Sequence, residues 1–347
     1  MHTRACILHA KEDVRIENYP LEEIGPDQVL VRIGAGGLCG SDIHYYWDGG
    51  IGTIRVSQPI VMGHEFAGTV EAIGAKVSKV RPGDKVAINP SQPCGKCRFC
   101  QEGKQQHCLD MQFMGSAMRN PPTHGGFRDR AVVSDFQCEP VGQEVSLGEA
   151  ACTEPLAVGV HAVKRAGDLL GKRVLVTGSG PIGALLIGAV RLAGAAEIVV
   201  TDLSAAPLKA AAAMGATTVI DAAQDPERLA RDYSADKGYF DVAFECTGVP
   251  VVLKGIFPVI RPGGTIVQVG VSGPAELPVN ALVAKEVNLL GAHRFHAEYA
   301  MAATLISERR IDVRPVISAT LPMERIAEAF ELARDRNAQM KVQLSFA

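Results

Sequence analysis

Residues 172–202, KRVLVTGSGPIGALLIGAVRLAGAAEIVVTD, decide how the rest of the chain is read. VLVTG is a short apolar strand, GSGPIG a tight turn, ALLIGAVRLAG a stretch with helical spacing, and EIVVTD a second strand that ends in an acid. That order is a βαβ unit. Gly178, Gly180 and Gly183 fit GxGxxG: the first glycine allows the turn, the second lets backbone approach a pyrophosphate, and the third lets helix pack on strand. Pro181 and Ile182 open the helix, where free N–H groups and the helix dipole favour an anion. Such a turn also occurs for packing alone. Between two strands, with Asp202 about twenty residues on to bind ribose hydroxyls, it predicts a dinucleotide site. Asp202 repels a 2′-phosphate, and Leu203-Ser204-Ala205-Ala206-Pro207 supplies no cation to offset that, so NAD is expected in preference to NADP.

Outward from this unit, strand runs and helical segments alternate to about residue 291: KRVLVTG, EIVVTD, TTVID, DVAFECTG, GTIVQVG and EVNLLG are six strands. They predict an α/β, doubly wound parallel sheet with ligands at the carboxyl ends of its strands. Those ends place Thr177, Asp202, Cys246-Thr247-Gly248 and Val269-Gly270-Val271 near a cofactor.

Upstream, residues 1 to about 150 show no helical periodicity of any length. Runs such as QVLVRIG, AGTVEAIG and DKVAINP are separated by Gly25-Pro26, Pro82-Gly83-Asp84 and Gly125-Gly126, which predicts a largely β domain in the form of a distorted barrel. Helical spacing begins in EAACTEPLAVGVHAV, where Glu154-Pro155 puts a carboxylate at a helix start facing the cleft between domains; His161, further along, reads as packing. Downstream, HRFHAEYAMAATLISERRI and MERIAEAFELARD read as helical, and the strand KVQLSF suggests a return to the first domain. The expected division is 1–154, 155–291 and 292–347.

Two groups of residues suggest metals. Cys94, Cys97, Cys100 and Cys108, in a loop spanning about 90–110, have the spacing C-x2-C-x2-C-x7-C. Four thiolates so placed can close tetrahedrally around one zinc with no open position, the form of a structural site. The competing readings are an iron–sulfur cluster, for which the proline and second cysteine set of a ferredoxin are missing, and a nucleic-acid zinc module, for which Lys96, Arg98 and Lys104 are too few cations to make a basic face. Cys39, His64 and Glu65 offer a thiolate, an imidazole and a carboxylate, a normal set for catalytic zinc, which takes three protein ligands and keeps one position open. Taken singly, Cys39 reads as a buried thiol and His64 as a core histidine.

The net charge of −3, without a basic block, argues against a nucleic-acid or anionic-membrane surface. The longest uncharged stretch, Val174 to Val190, is short for a membrane span and is broken by glycines and Pro181. The N-terminal residues lack the apolar core of a signal peptide, and nine cysteines are an odd number for a disulfide framework, so a cytoplasmic protein is expected.

GLCGSD, GHE, the four-cysteine loop, TEPL, GSGPIG and ECTG occur in one order along essentially the whole chain. In this the sequence resembles the medium-chain zinc-dependent alcohol and polyol dehydrogenases. CGSDIHYY, INPSQPCGKC, CLDMQFMGSAM, EPLAVGVHA and GYFDVAFECTG are most similar to the branch that oxidises the C5 hydroxyl of L-idonate; sorbitol and xylitol dehydrogenases share the core motifs without the INPSxPCGxC and FMGSAM runs. The resemblance implies a GroES-like β-rich catalytic domain joined to a Rossmann domain. It implies Cys39, His64 and Glu154 around catalytic zinc, the glutamate directly or through water, with Glu65 as the competing carboxylate. It also implies Asp42 orienting the imidazole, and Ser41 and His44 relaying a proton. Tyr45, Arg294 and Phe295 are expected on the substrate side, Arg294 also touching cofactor. Arg119 and His124 are further candidates for binding a substrate carboxylate. Family members pair through the edge of the Rossmann sheet, so a homodimer or homotetramer is expected, joined near VNLLG or VQVGV. The rival readings are a sorbitol- or xylitol-type polyol dehydrogenase and a non-catalytic nucleotide-binding protein.

Overall fold

The computed structural model describes every residue except Ser272 and Ala347. Strand Arg173–Thr177 lies inside a six-stranded sheet in the order Thr218–Asp221, Glu197–Asp202, Arg173–Thr177, Phe240–Glu245, Ile260–Gln268, Asn288–Gly291. All five pairings are parallel. The order reverses direction between Arg173–Thr177 and Phe240–Glu245, which opens a crevice at the carboxyl ends of those two strands. Helices cover both faces, so the strands bury side chains on both sides. Val174 and Val176 enter one core with helices Thr153–Ala166, Pro181–Leu192 and Glu298–Ser307, while Leu175 enters a second core with helix Pro250–Val259. Each fully buried aliphatic of this kind contributes roughly 1.5–3 kcal/mol.

The other large sheet runs Cys138–Pro140, Lys85–Ile88, Glu65–Ile73, Gln28–Gly37, Lys341–Ser345, Ile317–Pro322, with Arg130–Ser134 also on Gln28–Gly37. Val29, Val31, Ile33, Phe66, Val86, Ile88, Val342 and Leu344 fill its core. Strand Lys341–Ser345 pairs antiparallel with the far end of Gln28–Gly37, Gln343 opposite Gly37. The chain therefore leaves this sheet for the parallel one and comes back to it.

Two local expectations change. A nine-residue helix, Gly40–Asp48, stands in the region read as having none. It is too short to show periodicity; its ends make it, with the Asp42 carboxylate accepting from Cys39 N at 3.0 Å and Gly49 closing it at φ 69°. In the stretch beginning at His293 the helix starts only at Glu298, because Arg294 sits at φ 51° and turns the backbone away from helical geometry.

Candidate active site

The glycine-rich turn follows the Arg173–Thr177 strand. Gly178 has φ 82°, a conformation that L side chains resist. A Cβ on Gly183 would lie 2.0 Å from Gly178 O, so only glycine lets this helix start so close to the strand. At Gly180 the space is open, with nothing within 4 Å of a built Cβ. Helix Pro181–Leu192 begins there, with Gly180 as its cap and Pro181 in its first turn, and its free N–H groups face an open surface that suits a phosphate. Asp202 Oδ2 accepts from Ser179 N at 2.7 Å, and Oδ1 accepts from Leu203 N at 2.7 Å and Ser204 N at 3.0 Å, which fixes the carboxylate at the end of the second strand.

Across the crevice lies a residue the sequence reading passed over. Glu245 is fully buried, and its carboxylate accepts from Thr247 N at 2.7 Å, Gly248 N at 2.9 Å, Gln268 Nε2 at 2.5 Å and the Thr247 hydroxyl. Its backbone oxygen accepts from Val269 N and Gly270 N at 2.8 Å. Glu245 thus ties turn 246–248 to turn 269–271 and shapes the floor where Thr247, Val269 and Gly270 lie; Val271 is 86% exposed beyond it. The signal was present in ECTG, an acid at the end of an apolar strand.

The second cluster draws on distant segments. Cys39 caps helix Gly40–Asp48, His64 immediately precedes the Glu65–Ile73 strand and Glu65 begins it. One donor atom from each of Cys39, His64 and Glu65 lies within 4.8 Å of the others. Asp42 does two things at once: Oδ2 caps Cys39, and Oδ1 faces His64 Nδ1 at 3.7 Å. Burial disfavours a charged His64 imidazole, but Asp42 and Cys39 outweigh it and hold its pKa well above the ordinary value. Glu154 stands in the first turn of helix Thr153–Ala166, outside the 4.8 Å set; burial pushes its carboxyl up to about 7 against the pull of His64.

Lys341, from the returning strand, is 2% exposed. Its Nζ donates to Glu65 Oε1 at 2.7 Å and to Leu38 O at 3.0 Å. It is equally close to Glu65 Oε2, at 2.7 Å, so the ammonium faces both carboxylate oxygens. Burial opposes the ammonium, while Glu65 and Cys39 raise its pKa and keep it charged. Sequence reading missed Lys341 because its partner is 276 residues away. The polar alternation Lys341, Gln343, Ser345 in an otherwise apolar strand is the trace it leaves.

The four-cysteine loop closes on itself. Cys97 Sγ lies 3.6 Å from Cys100 Sγ and 4.0 Å from Cys108 Sγ. Zn–S bonds of about 2.3 Å in a tetrahedron imply sulfur separations of about 3.8 Å, so the thiols are spaced for one ion and too far apart for disulfides. Backbone N–H groups of Cys94, Cys97, Leu109 and Asp110 point at the sulfurs. Those of Leu109 and Cys100 hold the Cys97 thiol down to about 6.

The remaining candidates separate. Tyr45 is 3% exposed and its hydroxyl accepts from Ala117 N at 3.4 Å. The Arg294 guanidinium lies 4.1 Å over the Phe113 ring, and Arg294 and Glu154 are close enough to shift each other's pKa. Ser41 is half-buried on the same helix as His44, whose Nδ1 is 2.7 Å from Asp48 Oδ2 at the surface. Three expected residues are engaged elsewhere: Phe295 is 1% exposed and packs on Tyr299 in the core, Arg119 pairs with Asp110 at the surface, and His124 Nδ1 accepts from Val61 N at 3.1 Å. His161 sits 3.4 Å from Glu298.

Residues 25–143 match the alcohol dehydrogenase GroES-like domain and residues 181–308 the zinc-binding dehydrogenase domain. The chain is 40% identical to the L-idonate 5-dehydrogenase (NAD(P)(+)) of Escherichia coli strain K12 over 345 residues, 99% of each chain. It is 36% identical to the sorbitol dehydrogenase of Homo sapiens over 330 residues, 94% of this chain and 91% of that one. The crystal structure of the E. coli L-idonate 5-dehydrogenase superposes with a TM-score of 0.95 and 39% identity, covering 100% of this chain and 99% of that chain. A chain that matches both domain models and keeps this identity from end to end belongs to the zinc-binding alcohol dehydrogenase family.

Proposed function

We propose that this protein oxidises the C5 hydroxyl of L-idonate to give 5-keto-D-gluconate, passing hydride to NAD, in a reversible reaction. The reading rests first on the Cys39–His64–Glu65 set, in which His64 and Glu65 are buried and one donor atom from each residue lies within 4.8 Å of the others, and on the 40% identity to an L-idonate 5-dehydrogenase. Cys39, His64 and Glu65 hold the catalytic zinc, with Glu154 beside it holding a water or exchanging into the set; Cys94, Cys97, Cys100 and Cys108 hold a structural one. Bound zinc supplies Lewis acidity, lowering the pKa of a substrate hydroxyl toward neutrality. Asp42 fixes the His64 ring so that its other nitrogen faces the metal position. Ser41 takes the hydroxyl proton and His44, open to solvent beside Asp48, releases it. The turn at Gly178, Gly180, Pro181, Ile182 and Gly183 receives the pyrophosphate, Asp202 the adenosine ribose, and Thr247, Val269, Gly270 and Val271 the nicotinamide end. Arg294 and Tyr45 orient the substrate, the arginine matching the carboxylate of an aldonate.

Residues 1–154 and the stretch after 291 act as the catalytic unit and 155–291 as the nucleotide unit. Of the two segments expected at a subunit interface, the GTIVQVG strand is internal and only Asn288–Gly291 is a sheet edge. That open edge, with exposed Val279 and Val283 nearby, supports pairing of two copies there. All nine cysteines are unpaired, which suits a reducing, cytoplasmic setting. Among the described residues no helix is long and apolar enough to cross a membrane.

The identity to sorbitol dehydrogenase favours a polyol as the second reading. NADH formation by zinc-loaded enzyme on L-idonate, sorbitol, xylitol and D-gluconate, each with NAD and with NADP, tests both. Idonate with NAD should dominate. Faster turnover of uncharged polyols would remove the aldonate reading and keep the chemistry; NAD binding without turnover of any of them would support a non-catalytic role.

A further inference from the structure

The segment that leaves the four-cysteine loop runs past His64, Tyr45 and Arg294. Met111 and Phe113 share a small buried core with Cys100 and Cys108, so their positions depend on how the thiols close. From there each residue reaches a different part of the site. The Phe113 ring is 5.7 Å from the His64 ring on one side and 4.1 Å below the Arg294 guanidinium on the other. Gly115 abuts the backbone of Gly63, the residue before His64. Ala117 N donates to the Tyr45 hydroxyl, and Met118 Sδ lies 2.7 Å from Arg294 Nη2. On the other flank His107, next to Cys108, lays its ring 6.0 Å from His293 at 15°, beside Arg294.

Arg294 needs such support. It stands at φ 51° in a turn, and a free arginine there has many rotamers to lose on meeting a substrate. An aromatic face under the guanidinium attracts the charge and fixes its plane, and the thioether adds a soft contact. A binding group held in place before the ligand arrives gains affinity by not having to be ordered later.

We propose that the four-cysteine lobe is a substrate-specificity element: closing the lobe fixes Phe113, which positions Arg294, while the same segment positions Tyr45, so the lobe sets substrate affinity as well as stability. The proposal rests on the reading above that Arg294 and Tyr45 meet the substrate. Phe113 is here a positioning residue, acting through Arg294.

The test uses the zinc-loaded enzyme and the secondary alcohol that the wild type oxidises best. Phe113→Leu keeps an apolar side chain in the lobe core and removes the ring face; the arginine must then be ordered on binding, which corresponds to about a two- to tenfold rise in KM. The kcat should stay within about twofold, as expected for loss of ground-state and transition-state binding alike. Phe113→Tyr, which restores the face, should bring KM back, and zinc content should remain at two per chain for both variants. Cys97→Ser, which opens the lobe, should weaken substrate binding to the enzyme–NADH complex, measured by calorimetry, by a similar factor. An unchanged KM in Phe113→Leu, or a fall in melting temperature with KM and kcat moving together and no rescue by tyrosine, would overturn the proposal and leave the lobe a purely structural clamp. A wild type that prefers polyols fails the aldonate reading alone, since the lobe is judged on the ratio of variant to wild type.

Discussion

The two donor clusters use overlapping chemistry and are built in opposite ways. The four-cysteine lobe takes all its donors from fifteen consecutive residues, 94–108, and turns its own backbone N–H groups onto the sulfurs. The Cys39–His64–Glu65 cluster takes donors from two segments, is braced by Asp42 and Lys341, and has Glu154 at its margin. The first has four thiols as donors, with Met111 and Phe113 packed against them. The second gathers two further acids, Asp42 and Glu154, and a lysine around its imidazole and carboxylate. A closed shell offers a substrate no position on its ion and can reach it only through neighbouring side chains, whereas an open one surrounded by adjustable charge can act on a substrate directly.

Four substitutions can break or sharpen this contrast, and the largest effect belongs to the open cluster. His64→Ala should remove one of two bound zincs and lower kcat/KM by roughly 10³-fold or more, since several kcat-determining kcal/mol of Lewis-acid stabilisation are lost. Cys97→Ser should also remove one zinc and show up mainly in melting temperature and substrate affinity, with kcat largely retained. Metal analysis alongside kinetics separates the two; equal losses of kcat from both would erase the distinction between the clusters.

Next is Lys341→Met. Losing one partner of a buried pair leaves a carboxylate without its counter-charge, at a cost of about 3–5 kcal/mol. That cost should appear in urea unfolding of the metal-free protein and shrink to less than half once zinc is bound, because the ion then neutralises Glu65. A penalty of the same size with and without metal would mean that Glu65 faces only Lys341. The smallest of the four is Asp42→Asn, which keeps the helix cap and removes the charge facing His64. Zinc affinity at the open cluster or activity should fall about 10–100-fold, while the four-cysteine lobe retains its metal.

The contrast also explains what could be read from the sequence. Spacing alone identified the four-cysteine lobe, because its donors are neighbours in the chain. The GxGxxG turn was equally plain, since Gly178 and Gly183 are required by the turn itself and by the 2.0 Å approach of the helix. Lys341 and Glu245 left only faint marks: each is a charged residue in an apolar strand whose partners are set by sheet order, and sheet order is a tertiary property. The roles of Phe113 and Met118 were hidden for the same reason, because Arg294 reaches them across 176 residues of chain or more. Helix Gly40–Asp48 escaped notice because its caps, and no long apolar stripe, create it. Arg119 and His124 were placed by proximity to the cysteine loop, yet each finds a nearer partner in Asp110 and the Val61 backbone.

The returning strand Lys341–Ser345 has a consequence for how the protein is made. Glu65 leaves the ribosome 276 residues before Lys341, an interval of about 14–55 s at the usual 5–20 residues per second. During that time the strand Gln28–Gly37 lacks its neighbour and Glu65 its counter-ion, while the whole parallel sheet is synthesised and can fold. The four-cysteine lobe suffers no such delay, since its last thiol follows its first by fourteen residues. The closed cluster is therefore complete in the nascent chain as soon as Cys108 is made, whereas the open one has its donors early but gains the lysine that neutralises Glu65 only after the nucleotide-binding half exists, so until then its excess negative charge has no counter-charge from the protein itself.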